Sequence, residues 1–543
     1  MLTLAGSCLV AAVAVSDLTL VANRYADDLA AEPVVGTAVS RLAETLKPDG
    51  SWPDVDYESK ARSGWVPGLV HLSRQQTLAA AYRRTGGPSC LAASRQALAF
   101  WIDRDFRCPN WWWNDIGVPH ALAATALCLG DQTPDEARTW IVRRLAKVEL
   151  GVWTGQNRTW LAENHLFRAL LTHDVKLAQA AIDVIYGEIR LSDCEGIRSD
   201  WCFHQHGRQP QFGNYGRSFI DQQSRYAEIT SGTELAMPPD KFEMLCNLAE
   251  RGFAWTIWKG SLDVAAVGRQ LTPDCSRIKA ASILRSLDRL ERAGWKRPQG
   301  PVGFRYFDQS AYAVFRTGSW MASVKASTPS IVGTETWVNE DNALGMCMAD
   351  GALYVYRTGD EYRNVFPLWK DWRMVPGVTG YVGKPVDRSR LRNEVDDMRA
   401  ASKDGTDVLS LAFRREGLSV RKRWTFTERE ILCEGEGISA ADGDFEVATC
   451  VEQAIAQDDA ACVSSGEALS CYVNGGIRYV VEAPREAIDF SVEGRTGDFS
   501  AFMRSMRPTP AAGRVFSLRI RHGRRPSGAS YRYRIIPEAN HEQ

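Results

Sequence analysis

The chain has 543 residues, more than one average domain, so two or more hydrophobic cores are expected. Hydrophobic residues make up 45% and the formal net charge is -1, which speaks against wholesale binding to nucleic acid or to a membrane surface. The 13 cysteines are odd in number and hold no C-x-x-C pair, which argues against a disulfide scaffold or a zinc site.

The segment Leu2 to Val15 is nearly all apolar and too short to span a membrane. No Lys or Arg precedes it, so residues 1–20 read either as an atypical signal peptide or as a first helix. Apolar residues at helical spacing then predict helices over 37–46, 75–84, 91–103, 120–129, 134–150, 159–172, 175–189, 219–230, 240–255 and 278–293. Pro134 and Asp240 sit where helix starts favour them. Repeated helix pairs joined by long aromatic loops suggest an α/α toroid over 21–298. Arg297 to Pro301 is a linker-like break. Beyond it, short alternating segments predict strands over 312–316, 320–327, 352–357, 409–414, 418–426, 430–438, 477–482 and 514–521. The fold class is therefore multidomain α+β, with antiparallel β-sandwich sheets over 302–543. The polar stretch 538–543 reads as a loose tail. Cys462 and Cys471 flank a turn-like segment and are candidates for a hairpin disulfide.

Four constellations carry chemistry. The first is Phe203-His204-Gln205-His206-Gly207, followed by Phe212-Gly213-Asn214-Tyr215-Gly216. It sets His206 and Tyr215 nine residues apart in a segment of loop-forming residues. A His and a Tyr on one ordered loop can act as a proton-transfer pair, and few reactions need a tyrosine base. Removing a proton from the carbon beside a carboxylate is one of them. The second is Asn110-Trp111-Trp112-Trp113-Asn114, read as a loop whose tryptophans line a sugar groove or plug the space between helices. The third is Thr154-Gly155-Gln156-Asn157-Arg158, a polar loop before a helix, suited to an anion or to ordinary capping. The fourth comprises Val267-Gly268-Arg269 and the polar cluster Glu335, Asn339, Glu340, Asp341 and Asn342.

In their order along the chain these motifs resemble polysaccharide lyase family 8, the hyaluronate, chondroitin AC and xanthan lyases. The match runs from about residue 40 to about residue 440 and includes Ile116-Gly117-Val118-Pro119 and Val375-Pro376-Gly377-Val378-Thr379. The resemblance implies an incomplete α/α toroid followed by antiparallel β-sandwich domains, and β-elimination at a uronic acid without metal or cofactor. It implies that Asn157 binds the uronate carboxylate. His206 and Tyr215 correspond to the catalytic pair, and Arg269 to the arginine beside them. Glu335 and Asn339 correspond to the β-domain residues that hold the cleft. Trp111, Trp112, Trp113, Asn114, Arg158 and Asn342 complete the expected substrate contacts. Arg269 and His206 are expected to lower the tyrosine pKa.

The chain departs from the family pattern at Pro273, where a second Arg is usual, in its run of three tryptophans with Asn114 after it, and in a β-sandwich region over 302–543 expected to be shortened relative to the family. The expected partner is an acidic polysaccharide met by a secreted or periplasmic monomer. Two other readings stay open: a toroidal glycoside hydrolase using two of Asp115, Glu163 and Asp200, or a non-catalytic carbohydrate-binding protein that keeps the fold.

Overall fold

The computed structural model describes residues 13–31, 36–385, 387 and 392–537. Residues 2–12 of the apolar start and the tail 538–543 lie outside them. Two compact units divide the chain.

One unit holds the described residues up to Arg190, with Gln222–Leu245 and Asp288–Trp295. It is helical. The elements are Val15–Ala31, Gly36–Glu44, Ser73–Thr85, Pro88–Arg104, Val118–Leu129, Asp135–Leu145, Gly155–Thr172 and Val175–Gly187, with parts of Arg217–Ile229, Pro239–Arg251 and Cys275–Arg292. Val118–Leu129 is the central helix. Leu122 to Leu129 are all buried, so it has no polar face and must be surrounded. Ser73–Thr85, Val15–Ala31 and Gly155–Thr172 pack against it. Each fully buried Leu contributes about 1.5–3 kcal/mol. Helix ends follow local chemistry. Pro88 opens its helix at N1, and the Asp174 carboxylate accepts from Leu177 N at 3.0 Å.

The structure corrects three local readings. The expected helix over 134–150 runs only from Asp135 to Leu145; Pro134, at ψ 139°, lies outside its start, and Ala146 caps its end. The tryptophan segment is helical, not a loop: Trp113–Gly117 is a π-helical turn that runs straight into Val118–Leu129. Asn157 and Arg158 lie in the first turn of Gly155–Thr172, not ahead of it. No helix among the described residues is long and apolar enough to cross a membrane.

The second unit holds Leu191–Asp221, Cys246–Leu287 and the described residues from Lys296 onward. Its strands form antiparallel sheets. One has four strands, in the order Gly303–Phe307, Tyr312–Arg316, Met321–Ala326, Asp350–Tyr356. A second has four, in the order Ile488–Asp498, Pro510–Arg524, Glu446–Ile455, Thr379–Tyr381. The largest has eight and runs Met398–Lys403, Thr406–Arg415, Leu418–Phe426, Ile431–Ala440, Ala529–Ile536, Ile477–Glu482, Leu469–Asn474, Ala461–Ser465. Leu418–Phe426 alternates strictly, with Leu418, Val420, Trp424 and Phe426 inward. Arg415 pairs with Leu418 across Glu416 and Gly417, both at positive φ, as a two-residue hairpin turn requires. The core joins Trp320, Phe315, Phe413, Trp424, Tyr479 and Phe516. Cys462 faces Tyr472 and Cys471 faces Ser464 across the ladder, so the expected hairpin disulfide is not formed, and both are free thiols among the described residues.

Candidate functional site

Tyr215 sits in a second π-helical turn, Phe212–Gly216, which continues into Arg217–Ile229. The Gly, Asn and Gly there read as loop chemistry, but they wind into this turn instead. His206 follows the short strand Phe203–His204 and takes φ 61°, with Gly207 at φ 82°. Glu195 Oε1 accepts from Gly207 N at 3.0 Å and anchors the bend.

Glu335 is the hub. Its Oε1 accepts from His206 Nδ1 at 2.6 Å. Its Oε2 accepts from Gln211 Nε2 at 3.1 Å and from the Arg269 guanidinium. The carboxylate on Nδ1 orients the ring. The His206 and Tyr215 rings meet edge to face at 4.8 Å, and the Arg269 guanidinium stands 5.8 Å from the centre of the Tyr215 ring. Asp341 Oδ2 lies 3.4 Å from Arg269 Nε as a second counter-charge. The Asn342 amide donates to the Glu335 carbonyl at 3.1 Å, which makes it a brace of the hub. Asn339 lies in the turn Val338–Glu340 at φ 53°.

Charge follows from this packing. Burial raises the Glu335 carboxyl, but the His206 hydrogen bond and the Arg269 charge outweigh it and pull the pKa down to about 2. Burial disfavours the Arg269 cation, and Glu335 and Tyr215 more than offset that, so its pKa rises. Tyr215 goes against expectation. Burial pushes its phenol above the usual value; Arg269 opposes this, Glu335 adds to it, and burial wins. His204 is a different kind of histidine. It is fully buried, its Nε2 is 2.9 Å from Ser310 Oγ, and burial lowers its pKa to about 3.

In the helical unit, Trp111 stacks on Trp153 at 4.7 Å and 11°, and both are exposed. Trp112 and Trp113 pack edge to face on each other, Trp112 on Trp160 and Trp113 on Trp65. The tryptophan run thus divides into an open platform and a plug. Sequence reasoning missed Trp153 as half of the platform, since it stands 42 residues from Trp111. Asn114 is committed to the backbone of Cys108, donating to its O at 2.8 Å and accepting from its N at 3.0 Å. Asn157 is buried, and its Oδ1 has no hydrogen-bond partner among the described residues. The nearby helix N-terminus is already filled: Gly155 N donates to Glu188 Oε2 at 3.2 Å, and Arg158 pairs with Glu188 at 3.6 Å.

The three hydrolase candidates are all engaged. Asp115 pairs with Lys147 at 3.2 Å. Glu163 is buried and accepts from Tyr226 Oη at 2.8 Å and Gln222 Nε2 at 2.9 Å. Asp200 accepts from Ser310 Oγ at 2.8 Å and Cys202 N at 2.9 Å.

The family model for the N terminal alpha-helical domain of polysaccharide lyase family 8 matches residues 21–293, and that for its super-sandwich domain matches residues 302–543. The chain is 26% identical over 535 residues to chondroitinase-AC of Pedobacter heparinus, covering 91% of this chain and 76% of that protein. It is 25% identical over 492 residues to the hyaluronate lyase of Thermasporomyces composti, covering 77% and 62%. It is 23% identical over 509 residues to the xanthan lyase of Bacillus sp. strain GL1, covering 80% and 54%. The fold is that of chondroitinase AC lyase, solved in complex with oligosaccharides, with a TM-score of 0.84, 24% identity, and coverage of 97% of this chain and 84% of that one. The Streptomyces coelicolor A3 chondroitin AC lyase superposes with a TM-score of 0.80 at 19% identity, covering 100% and 81%. With an α-helical N-terminal region, an antiparallel β-rich remainder and both family models matched across almost its whole length, the chain belongs to polysaccharide lyase family 8.

Proposed function

We propose that this chain cleaves a uronate-containing polysaccharide by β-elimination, with Tyr215 as base and then acid. The observation that carries the reading is the shared hub: His206, Tyr215 and Arg269 gathered about Glu335. The Tyr215 phenolate takes the proton at C5, the C5–H electrons become the C4=C5 double bond, and the C4–O bond breaks. The new phenol returns its proton to the leaving oxygen. His206 and Asn157 neutralise the substrate carboxylate, as the family resemblance implies, so the developing enolate charge is spread. Arg269 favours the phenolate, a form that burial makes costly. The catalytic helical region is taken as 21–298 and the β region as 302–543, in an exported monomer.

The test is a panel of hyaluronan, chondroitin, xanthan and alginate, followed by ultraviolet absorbance. A C=C bond conjugated to a carboxylate absorbs; a hydrolysis product does not. New reducing ends without absorbance on all four polymers would sink the reading.

The open tryptophan pair belongs to the same reading as a sugar platform. Trp111→Ala is expected to raise KM by about tenfold with kcat unchanged, the size of one lost ring contact of about 1–1.5 kcal/mol. Steady-state kinetics on the polymer cleaved checks this, and an unchanged KM contradicts the platform.

A further inference from the structure

The helix Cys275–Arg292 buries a lysine where its pattern calls for an apolar residue. Lys279 is 6% exposed, while the adjacent Ile278 is 59% exposed. A lysine is rarely buried unless its donors are used. Here all three are. Lys279 Nζ donates to Asn214 Oδ1 at 2.9 Å, to the Val267 carbonyl at 2.7 Å and to the Gln270 carbonyl at 3.1 Å. An ammonium has three N–H groups, and the site offers three acceptors. Asn214 is the residue before Tyr215, and Val267 and Gln270 flank Arg269.

The two segments that the amine touches meet with almost no side chain between them. A Cβ on Gly213 would lie 2.3 Å from the Val267 oxygen, and one on Gly268, at φ +81°, would lie 2.6 Å from Asn214 Nδ2. Backbone this close has little apolar surface to hold it together. On the other side of the loop, buried Lys325 donates to the Ala265 carbonyl at 2.8 Å. Burial pulls the Lys279 pKa down to about 7; Arg217 and Arg269 act the same way, while Cys275 and Asp341 oppose.

We propose that Lys279 is a positioning residue for the elimination, tying the turn that carries Tyr215 to the loop that carries Arg269. It touches no substrate and acts through those two side chains. The inference rests on the lyase reading, and the wild-type substrate panel separates the two: without an unsaturated product on any polymer, both fall.

With an active wild type, Lys279→Met is expected to lower kcat by about 100-fold with KM within twofold, the scale of an ångström of misplacement. In Arg269→Ala with Lys279→Met the combined loss is expected to be smaller than the product of the two single losses, because part of the Lys279 effect runs through Arg269. Circular dichroism and the unfolding transition confirm that the variant is folded. Should Lys279→Met not fold, Asn214→Leu removes one of the three acceptors and is expected to show the same split, with kcat about tenfold down and KM unchanged. A folded Lys279→Met within threefold of wild-type kcat, losses that simply multiply in the double variant, or an Asn214→Leu that keeps full kcat overturns the proposal.

Discussion

Tyr215→Phe is expected to lower kcat by about 10⁴-fold, with KM and the unfolding temperature close to wild type. The ring stays, so the edge contact with His206 at 4.8 Å and the Arg269 guanidinium above it are kept. Only the phenol oxygen, the proposed base, is lost. The same residue sets the pH dependence. Burial raises the phenol pKa, so the phenolate is the minor form at neutrality, and its share grows tenfold with each pH unit below that pKa. Wild-type kcat/KM is expected to keep climbing through the alkaline range instead of levelling near neutrality. Turnover that survives in Tyr215→Phe, measured by ultraviolet absorbance, removes Tyr215 as the base.

Glu335→Ala is expected to cost about 3–5 kcal/mol of stability, because it strands a buried guanidinium. The carboxylate accepts from Arg269, His206 and Gln211 at once, and its side chain is only 5% exposed. Activity falls as well, by about 100-fold, since His206 and Arg269 both lose their orientation. The wild-type hub has its own acid signature. Its folded pKa is depressed to about 2 from an ordinary 4.5. The stability it adds is therefore complete above about pH 4.5 and is lost as the pH falls toward 2. Urea unfolding of both proteins at pH 7 and pH 3 checks this: the gap between them narrows at the lower pH. An equal gap at both assigns the loss to packing.

Much of the helical region was legible because its helices carry one buried stripe each, and Val118–Leu129 is apolar all round. Strands were legible where one face is wet, as in Leu418–Phe426. Glu446–Ile455 escaped because nearly all of it is buried, so it does not alternate. Ala461–Ser465 escaped for the opposite reason, being an edge strand exposed throughout. In the site, the His206–Tyr215 spacing was visible along the chain. The roles of Gln211 and Lys279 were not, since they arise from contacts between distant segments. The sign of the Tyr215 shift was lost for the same reason: a charge partner can be read from a motif, but burial depends on everything packed around it.

The π-helical turn Phe212–Gly216 has a consequence for how the chain tolerates insertions and deletions. Such a turn holds one residue more than the α-helical path into Arg217–Ile229. Removing that residue would let an ordinary helix form without breaking it, yet each α-helical step rotates a side chain by about 100°. The tyrosine would then face another direction on an intact scaffold. A one-residue gap here would thus leave the fold standing and turn the proposed base away from His206 and Arg269.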